Sequence, residues 1–393
     1  MGSTRWRRRC ARPPEDVRST RRKEQTVKEF RLMTTVRLGP EALTALDQFR
    51  DEPVFLVTDE FLTGTPVFAR VLEHLGSRVT VFTGVLPNPA TKEIGLGVRE
   101  YVDTRPHVVV AYGGGSVMDA AKVMHKAALD AGFGAPAGIV AIPTTSGSGS
   151  EVTSFAVVTD EETHVKVPIV SDDMVARLAI LDPHAVIGAP AHITADSGMD
   201  ALTHAVEAYV ARDACDFSDA LVEKAAELIF AHLARCHSHG DDLEARTHMH
   251  NAACMAAMAF DNVGLGITHS LAHALGGHYP IAHGRLNAML LPHVIEFNAE
   301  RSRHAFERYA RLGRRLSPSS TGRAAVMTLI AGVRRLSEQL RLPTRLGEAG
   351  VATADLHREI PALAAAALAD GCTPPNPVAV TVEDLSGLLR AVA

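Results

Sequence analysis

Two short patterns place metal-ligating side chains one helical turn apart. In GMDALTHAVEAYV, Asp200 and His204 are four residues apart. In GITHSLAHALGGHYPIAHGRLNAMLLPH, His269 and His273 repeat that spacing, and His278, His283 and His293 follow. On a helix, positions i and i+4 share a face, so each pair can present its side chains together. A carboxylate with imidazoles suits Fe²⁺ or Zn²⁺. An ionised Asp among Ala, Leu and Val is costly unless it is paired or metal-bound. Helices also carry chance His pairs and core histidines, so spacing alone leaves a metal centre and ordinary packing both open.

Two glycine-rich segments could do a second kind of chemistry. YGGGSVMDAAK sets three glycines between an apolar run and a helical one. Without Cβ atoms the backbone can approach a phosphate closely, and the free N–H groups of a helix start attract the anion. The spacing is not GxGxxG, and a plain tight turn fits the same residues. TTSGSGSE (Thr144 to Glu151) follows another apolar run and offers hydroxyls and glycines to a second edge of the same ligand. Asp59 closes VFLVTD, where an acid can bond a ribose hydroxyl and disfavour a 2′-phosphate, or simply cap a turn.

The elements that must position these residues change character near residue 185. Between residues 34 and 185, strand-like runs alternate with helical ones: VFLVTD (54–59), RVTVF (78–82), HVVVAY (107–112) and GIVAIP (138–143). Alternation of this kind predicts a parallel sheet with crossover helices, and runs without polar alternation fit strands buried on both faces. From 186 to 393 the chain is Ala- and Leu-rich with helical periodicity, as in DALVEKAAELIFAHLARC and HNAACMAAMAF. The expected fold is an α/β domain, a candidate dinucleotide-binding domain by its glycine turns, followed by an all-α domain, a candidate metal-binding domain by its Asp and His spacing.

At 393 residues the chain suits two domains, and 46% hydrophobic with 22% charged residues can bury real cores. The net charge of −5 argues against nucleic acid as the main partner. Residues 1–33 differ, with nine Arg and two Lys against four acids. That stretch is read as a disordered basic extension lacking a secretory core; a targeting peptide or a docking tail are its alternatives. Five scattered cysteines without a CxxC pair fit a reducing cytoplasm, and no run is long enough to span a membrane.

Five ordered motifs then carry a resemblance. GGGSVMDAAK, IPTTSGSGSEVTSF, GMDALTHAVEAY, GITHSLAHALGG and HGRLNAMLLPHVIEFN, with a late CTPPNP, resemble the iron-containing (group III) alcohol dehydrogenase family over roughly residues 34 to 390. The resemblance implies the overall plan of dehydroquinate synthase. It puts the metal ligands at Asp200, His204, His269 and His283, and makes His273 a proton relay. It puts cofactor contacts at Asp59, Asn88, Gly114, Gly115, Ser116, Asp119, Thr144, Thr145, Ser148 and Lys166. Two departures are Ala282, where the family usually has Pro, and the N-terminal extension. The implied cofactors are Fe²⁺, with Zn²⁺ as an alternative, and NAD(H) ahead of NADP(H), on the strength of Asp59. The implied partners are a small alcohol or aldehyde and further copies of the chain, in a homodimer or larger assembly, with neither nucleic acid nor membrane. SEVTSFAVVTDEETHVKVPIVSD and DFSDALVEKA resemble a subgroup of 1-propanol dehydrogenases and phosphonoacetaldehyde reductases. Arg285 and Lys166 could supply positive charge for the second kind of substrate. A lyase of related architecture and a scaffold acting through the basic extension are the rival readings.

Overall fold

Apolar runs without polar alternation build a sheet that is buried on both faces. The computed structural model describes residues 27–87, 89–159 and 166–393, the side chain of Lys166 excepted. The strands are β1 (Thr35–Leu38), β2 (Val54–Val57), β3 (Val79–Phe82), β4 (Val108–Gly113), β5 (Ile139–Pro143), β6 (Phe155–Thr159), β7 (Lys166–Val170) and β8 (Leu178–Leu181). Six of them form one sheet in the order β1-β8-β5-β4-β2-β3, every pairing parallel. β6 and β7 pair antiparallel as a separate hairpin. Helices α1 (Pro66–Leu75), α2 (Thr91–Thr104) and α3 (Gly115–Asp130) make crossovers. The pleat divides the core: Phe55 and Val57 of β2 pack on one face with Tyr101 and Met124, and Val54 and Leu56 on the other with Phe68 and Tyr112. β2 ends at Val57 rather than at Asp59, because the Asp59 carboxylate accepts the Leu62 N–H at 2.9 Å and starts a short 3₁₀ turn.

After β8 the described chain is helical: α4 (Ala191–Val210), α5 (Asp216–Ser238), α6 (Leu243–Val263), α7 (Ile267–His278), α8 (His283–Arg301), α9 (Arg303–Leu316), α10 (Gly322–Gln339), α11 (Thr353–Ala369) and α12 (Val382–Ala391). α4 is buried almost all round, since its Ala and Gly residues let neighbours approach from every side. One core gathers α4, α5, α6, α9 and α10; a second joins α7, α8, α11 and α12. The Met255 side chain packs against the first of these.

Residues 1–26 of the basic extension lie outside the described residues. Residues 27–33 have no regular secondary structure but contact both domains, so packing begins upstream of Thr34. Phe30 stacks on Phe217 of α5. Arg31 exchanges backbone hydrogen bonds with the Asn262 amide at 2.6 and 3.0 Å and pairs with Asp172 at 2.8 Å.

Candidate functional site

Helix–helix contact decides where the candidate ligands fall. Asp200 and His204 lie on α4, His269 and His273 on α7, and His283 opens α8. A Cβ on Gly284 would stand 1.8 Å from the Asp196 carbonyl oxygen and 3.2 Å from Cβ of Asp200, so glycine is what lets α8 touch α4. Three imidazoles then converge on one oxygen. The Nε2 atoms of His204, His269 and His283 lie 3.7, 3.6 and 3.5 Å from Oδ1 of Asp200. Ligand atoms about 2.1–2.2 Å from a tetrahedral ion stand about 3.4–3.6 Å apart. The cluster therefore has the spacing of donors around one small cation, and is too open for hydrogen bonds between its members. The donor atoms of Asp200, His269 and His283 all lie within 4.8 Å of one another, while His204 stacks on His269 with ring centroids 4.7 Å apart.

The donors are held from behind. Glu207, seven residues after Asp200 on the same helix, is buried. It accepts hydrogen bonds from the Gly266 and Thr268 N–H groups at 2.9 and 2.6 Å and from Nδ1 of His269 at 2.6 Å. In the neutral ring the proton of His269 is thereby placed on Nδ1, which leaves Nε2 as the nitrogen that an ion would take. Asn287, one turn after His283, donates to Oδ1 of Asp200 at 2.8 Å and lies 3.3 and 3.2 Å from Nε2 of His269 and His283. A carboxylate and three imidazoles, with Glu207 behind them, fit a divalent cation.

A cleft of about 450 Å³ opens onto this cluster between the two domains. From the α/β domain it collects Gly115, Ser116, Asp119 and Ser148; from the helical domain Asp200, His204, His269, His273 and His283. Gly114 caps α3, so the glycine turn ends on a helix start. The two glycine-rich segments abut: an added Cβ on Gly114 would meet Thr145, and one on Gly115 would meet Ser148 at 3.2 Å. Gly149 sits at φ +64 with Ala257 of α6 where a Cβ would be, which ties the second loop to the helical domain. Asp119 accepts from the Ser150 hydroxyl at 2.8 Å and the Val157 N–H at 3.0 Å, so it braces that loop as well as facing the cleft. Thr144 is buried at the end of β5, and Thr145 lines a small neighbouring cavity rather than the cleft. Asp59, at the end of β2, is occupied in capping. Asn88 lies outside the described residues. Lys166 stands opposite Thr159 in the hairpin, its side chain likewise undescribed.

The chain was compared with known proteins. Residues 34–183 match the model of iron-containing alcohol dehydrogenase, and residues 194–393 that of the C-terminal part of the Fe-containing alcohol dehydrogenase family. The chain belongs to the iron-containing alcohol dehydrogenase family. It is an enzyme of that class. This dehydrogenase is 39% identical over 374 residues to the 1-propanol dehydrogenase of Citrobacter freundii, covering 93% of this chain and 99% of the relative. It is 36% identical to the NAD-dependent methanol dehydrogenase of Bacillus methanolicus, covering 89% and 94%. It superposes on 1,3-propanediol oxidoreductase with a TM-score of 0.87 at 33% identity, covering 93% of this chain and all of that one.

The electrostatics of the dehydrogenase follow from this packing. Burial alone would raise the Asp200 carboxyl, but His204, His269 and His283 outweigh it and hold it far below the usual range. Burial lowers His204 to about 4 and takes His283 well below its ordinary value. His269 goes the other way: burial opposes it, yet Asp200 and Glu207 raise it to about 9. Sequence reading missed Glu207, although its place one turn beyond His204 on the ligand face was a usable signal. It also missed Asn287, which repeats the i+4 spacing from His283, and Asp370, whose carboxylate lies 2.9 Å from Nδ1 of His273 across 97 positions of sequence. His278, the next histidine after His273, ends α7 outside the residues that line the cleft.

Proposed function

We propose that this dehydrogenase interconverts a small uncharged primary alcohol and its aldehyde, of the 1-propanol and propionaldehyde type, using NAD(H). The observation that carries this reading is the lining of the cleft. Phe155, Phe260, Leu265 and Pro375 line it, the Phe260 ring centroid 4.5 Å from that of His204, and among the described residues no Lys or Arg lines the cleft. Arg285, which the sequence offered as a cation for an anionic aldehyde, donates from Nε and Nη2 to the two oxygens of Asp196 at 3.2 and 3.0 Å. An uncharged substrate needs no cation, and the name of the Citrobacter relative points the same way.

In this reading Asp200, His204, His269 and His283 hold Fe²⁺, a role that Zn²⁺ also fits by donor chemistry. When bound, the ion supplies Lewis acidity toward a carbonyl oxygen, and the nicotinamide supplies or takes the hydride. The glycine turn at Gly114 and Gly115, with Ser116, Asp119, Ser148 and the neighbouring Thr144 and Thr145, grips the pyrophosphate side of the cofactor. Asp59, Asn88 and Lys166 complete that contact set. The apolar side chains exclude water, and His273 moves the alcohol proton. One oxygen of Asp59 remains beyond its capping bond, which supports NAD(H) over NADP(H) through repulsion of a 2′-phosphate. Four free thiols among the described cysteines support a cytoplasmic setting. No helix among the described residues is long and apolar enough to cross a membrane. A homodimer or larger homo-oligomer belongs to the same proposal, on the resemblance alone, and light scattering reads it.

The deciding experiment is NADH oxidation by anaerobically Fe²⁺-loaded protein with propionaldehyde and phosphonoacetaldehyde side by side. We expect kcat/KM to favour propionaldehyde by at least tenfold. Preference for the phosphonate would overturn the reading.

A further inference from the structure

His273 lines the cleft with the candidate ligands, but a different carboxylate holds it. Its Nδ1 lies 2.9 Å from Oδ2 of Asp370. Asp370 caps the C-terminus of α11, and its other oxygen accepts the Cys372 N–H at 2.8 Å. The Cys372 thiol bonds to the same carboxylate. Three donors thus meet one acceptor-only group. Although burial opposes ionisation there, the hydrogen bond from His273 outweighs it and holds the Asp370 carboxyl at about 2. The surrounding chain is also pinned: the Thr373 hydroxyl lies 2.7 Å from the Ser270 hydroxyl of α7, and the Asn376 and Asn298 amides pair at 3.0 and 3.1 Å. His273, Asp370 and Cys372 lie close enough to suggest a second cation site. Each of their donors already has its acceptor, so the cluster is complete without an ion.

We propose that Asp370 is a positioning residue, fixing His273 as the Nδ1–H tautomer so that a bare Nε2 faces the cleft. The inference rests on the relay role given to His273 above. A carboxylate can only accept, so the proton of the neutral ring must sit on Nδ1. The remaining nitrogen can then take a proton. In alcohol oxidation the O–H proton passes to Nε2 while the carbon-bound hydrogen leaves with its electron pair as hydride to the oxidised nicotinamide. The imidazolium formed on His273 is stabilised by Asp370, and in aldehyde reduction the same proton returns.

Asp370→Asn tests this, because asparagine has one acceptor oxygen where Asp370 has two. If that oxygen keeps the fixed Cys372 N–H, the amide nitrogen faces Nδ1 and drives the ring proton onto Nε2. The expected result is a fall in kcat for alcohol oxidation of about 10²-fold, with metal content and KM for NAD⁺ unchanged. His273→Ala should lower kcat at least as far, and adding Asp370→Asn to it should cost less than about twofold more. Long-range ¹H–¹⁵N spectra of the Zn²⁺-loaded protein should show the Nδ1–H tautomer of His273 in the unaltered chain and its loss in Asp370→Asn. Additive losses in the double variant, or an Nε2–H tautomer in the unaltered chain, would overturn the assignment of Asp370 alone. A His273→Ala variant with unaltered kcat would overturn the relay reading and this inference together.

Discussion

Replacing Glu207 with Gln isolates the support behind the metal cluster. Glu207 is buried and accepts three donors: Gly266 N–H and His269 Nδ1–H on one oxygen, Thr268 N–H on the other. Glutamine turns one of those acceptors into a donor. If its NH₂ faces Thr268, two buried donors oppose each other at a cost of about 1–3 kcal/mol. If it faces His269, the ring proton moves to Nε2, the atom that must bind the ion. Either arrangement also removes a charge-assisted bond that raises the basicity of the ring. Partners of this kind are typically worth 10–100-fold in metal affinity. That span equals about 1.4–2.7 kcal/mol, and two bonds to the start of α7 place Glu207→Gln at its upper end. The assay is Zn²⁺ affinity of metal-free protein by competition with a chromophoric chelator, with circular dichroism to certify the fold. A well-folded variant binding within twofold of the unaltered protein would refute the reasoning.

Other consequences are open to measurement. Gly284→Ala forces α8 off the α4 backbone, which cannot yield as a side chain could; stability should fall by about 3 kcal/mol in urea unfolding, with most bound metal lost. Normal metal content would contradict the contact. His269, held to about 9 in the metal-free protein, must surrender a proton when it ligates. Calorimetry in buffers of different ionisation enthalpy should therefore show about one proton released per ion at pH 7.5, fading above pH 9. The same raised value means that His269 stabilises the metal-free chain fully below about pH 6.5 and loses that contribution as pH rises through 9. A flat Tm across that window would count against it. Arg285→Ala removes the hydrogen bonds to both oxygens of the buried Asp196 carboxylate and should cost about 1–3 kcal/mol, without altering the preference between propionaldehyde and phosphonoacetaldehyde. A collapse of phosphonate turnover alone would return Arg285 to the substrate site.

What the sequence could show depended on how far each partner lay along the chain. VFLV and VVVAY were legible as strands because both faces of the sheet are covered, and their ends shifted by only a residue or two, as where Asp59 leaves β2 to cap a turn. The β6–β7 hairpin was not read, since neither strand has a clean alternation and Pro168 interrupts the second. Asp200 and His204 were legible together because one helix carries both. His283 joined them only through the family resemblance, for its position depends on a backbone contact at Gly284 that no local pattern announces. Asp370 is harder still: nothing within its own segment points to a histidine on α7, and only the packing of α11 brings the two together. The cofactor residues divide similarly. Those on the first turn of α3 reach the cleft, while Asp59, Thr144 and Thr145 stand back from its lining.

Helix packing, Glu207 and Asn287 brace the spacing of Asp200, His204, His269 and His283. Donors braced by their scaffold need little ordering when an ion arrives, so the proposed site should be stripped of metal and reloaded without denaturing the chain. The donor set suits Fe²⁺ and Zn²⁺ alike, so which ion the chain carries should follow which is more available to it.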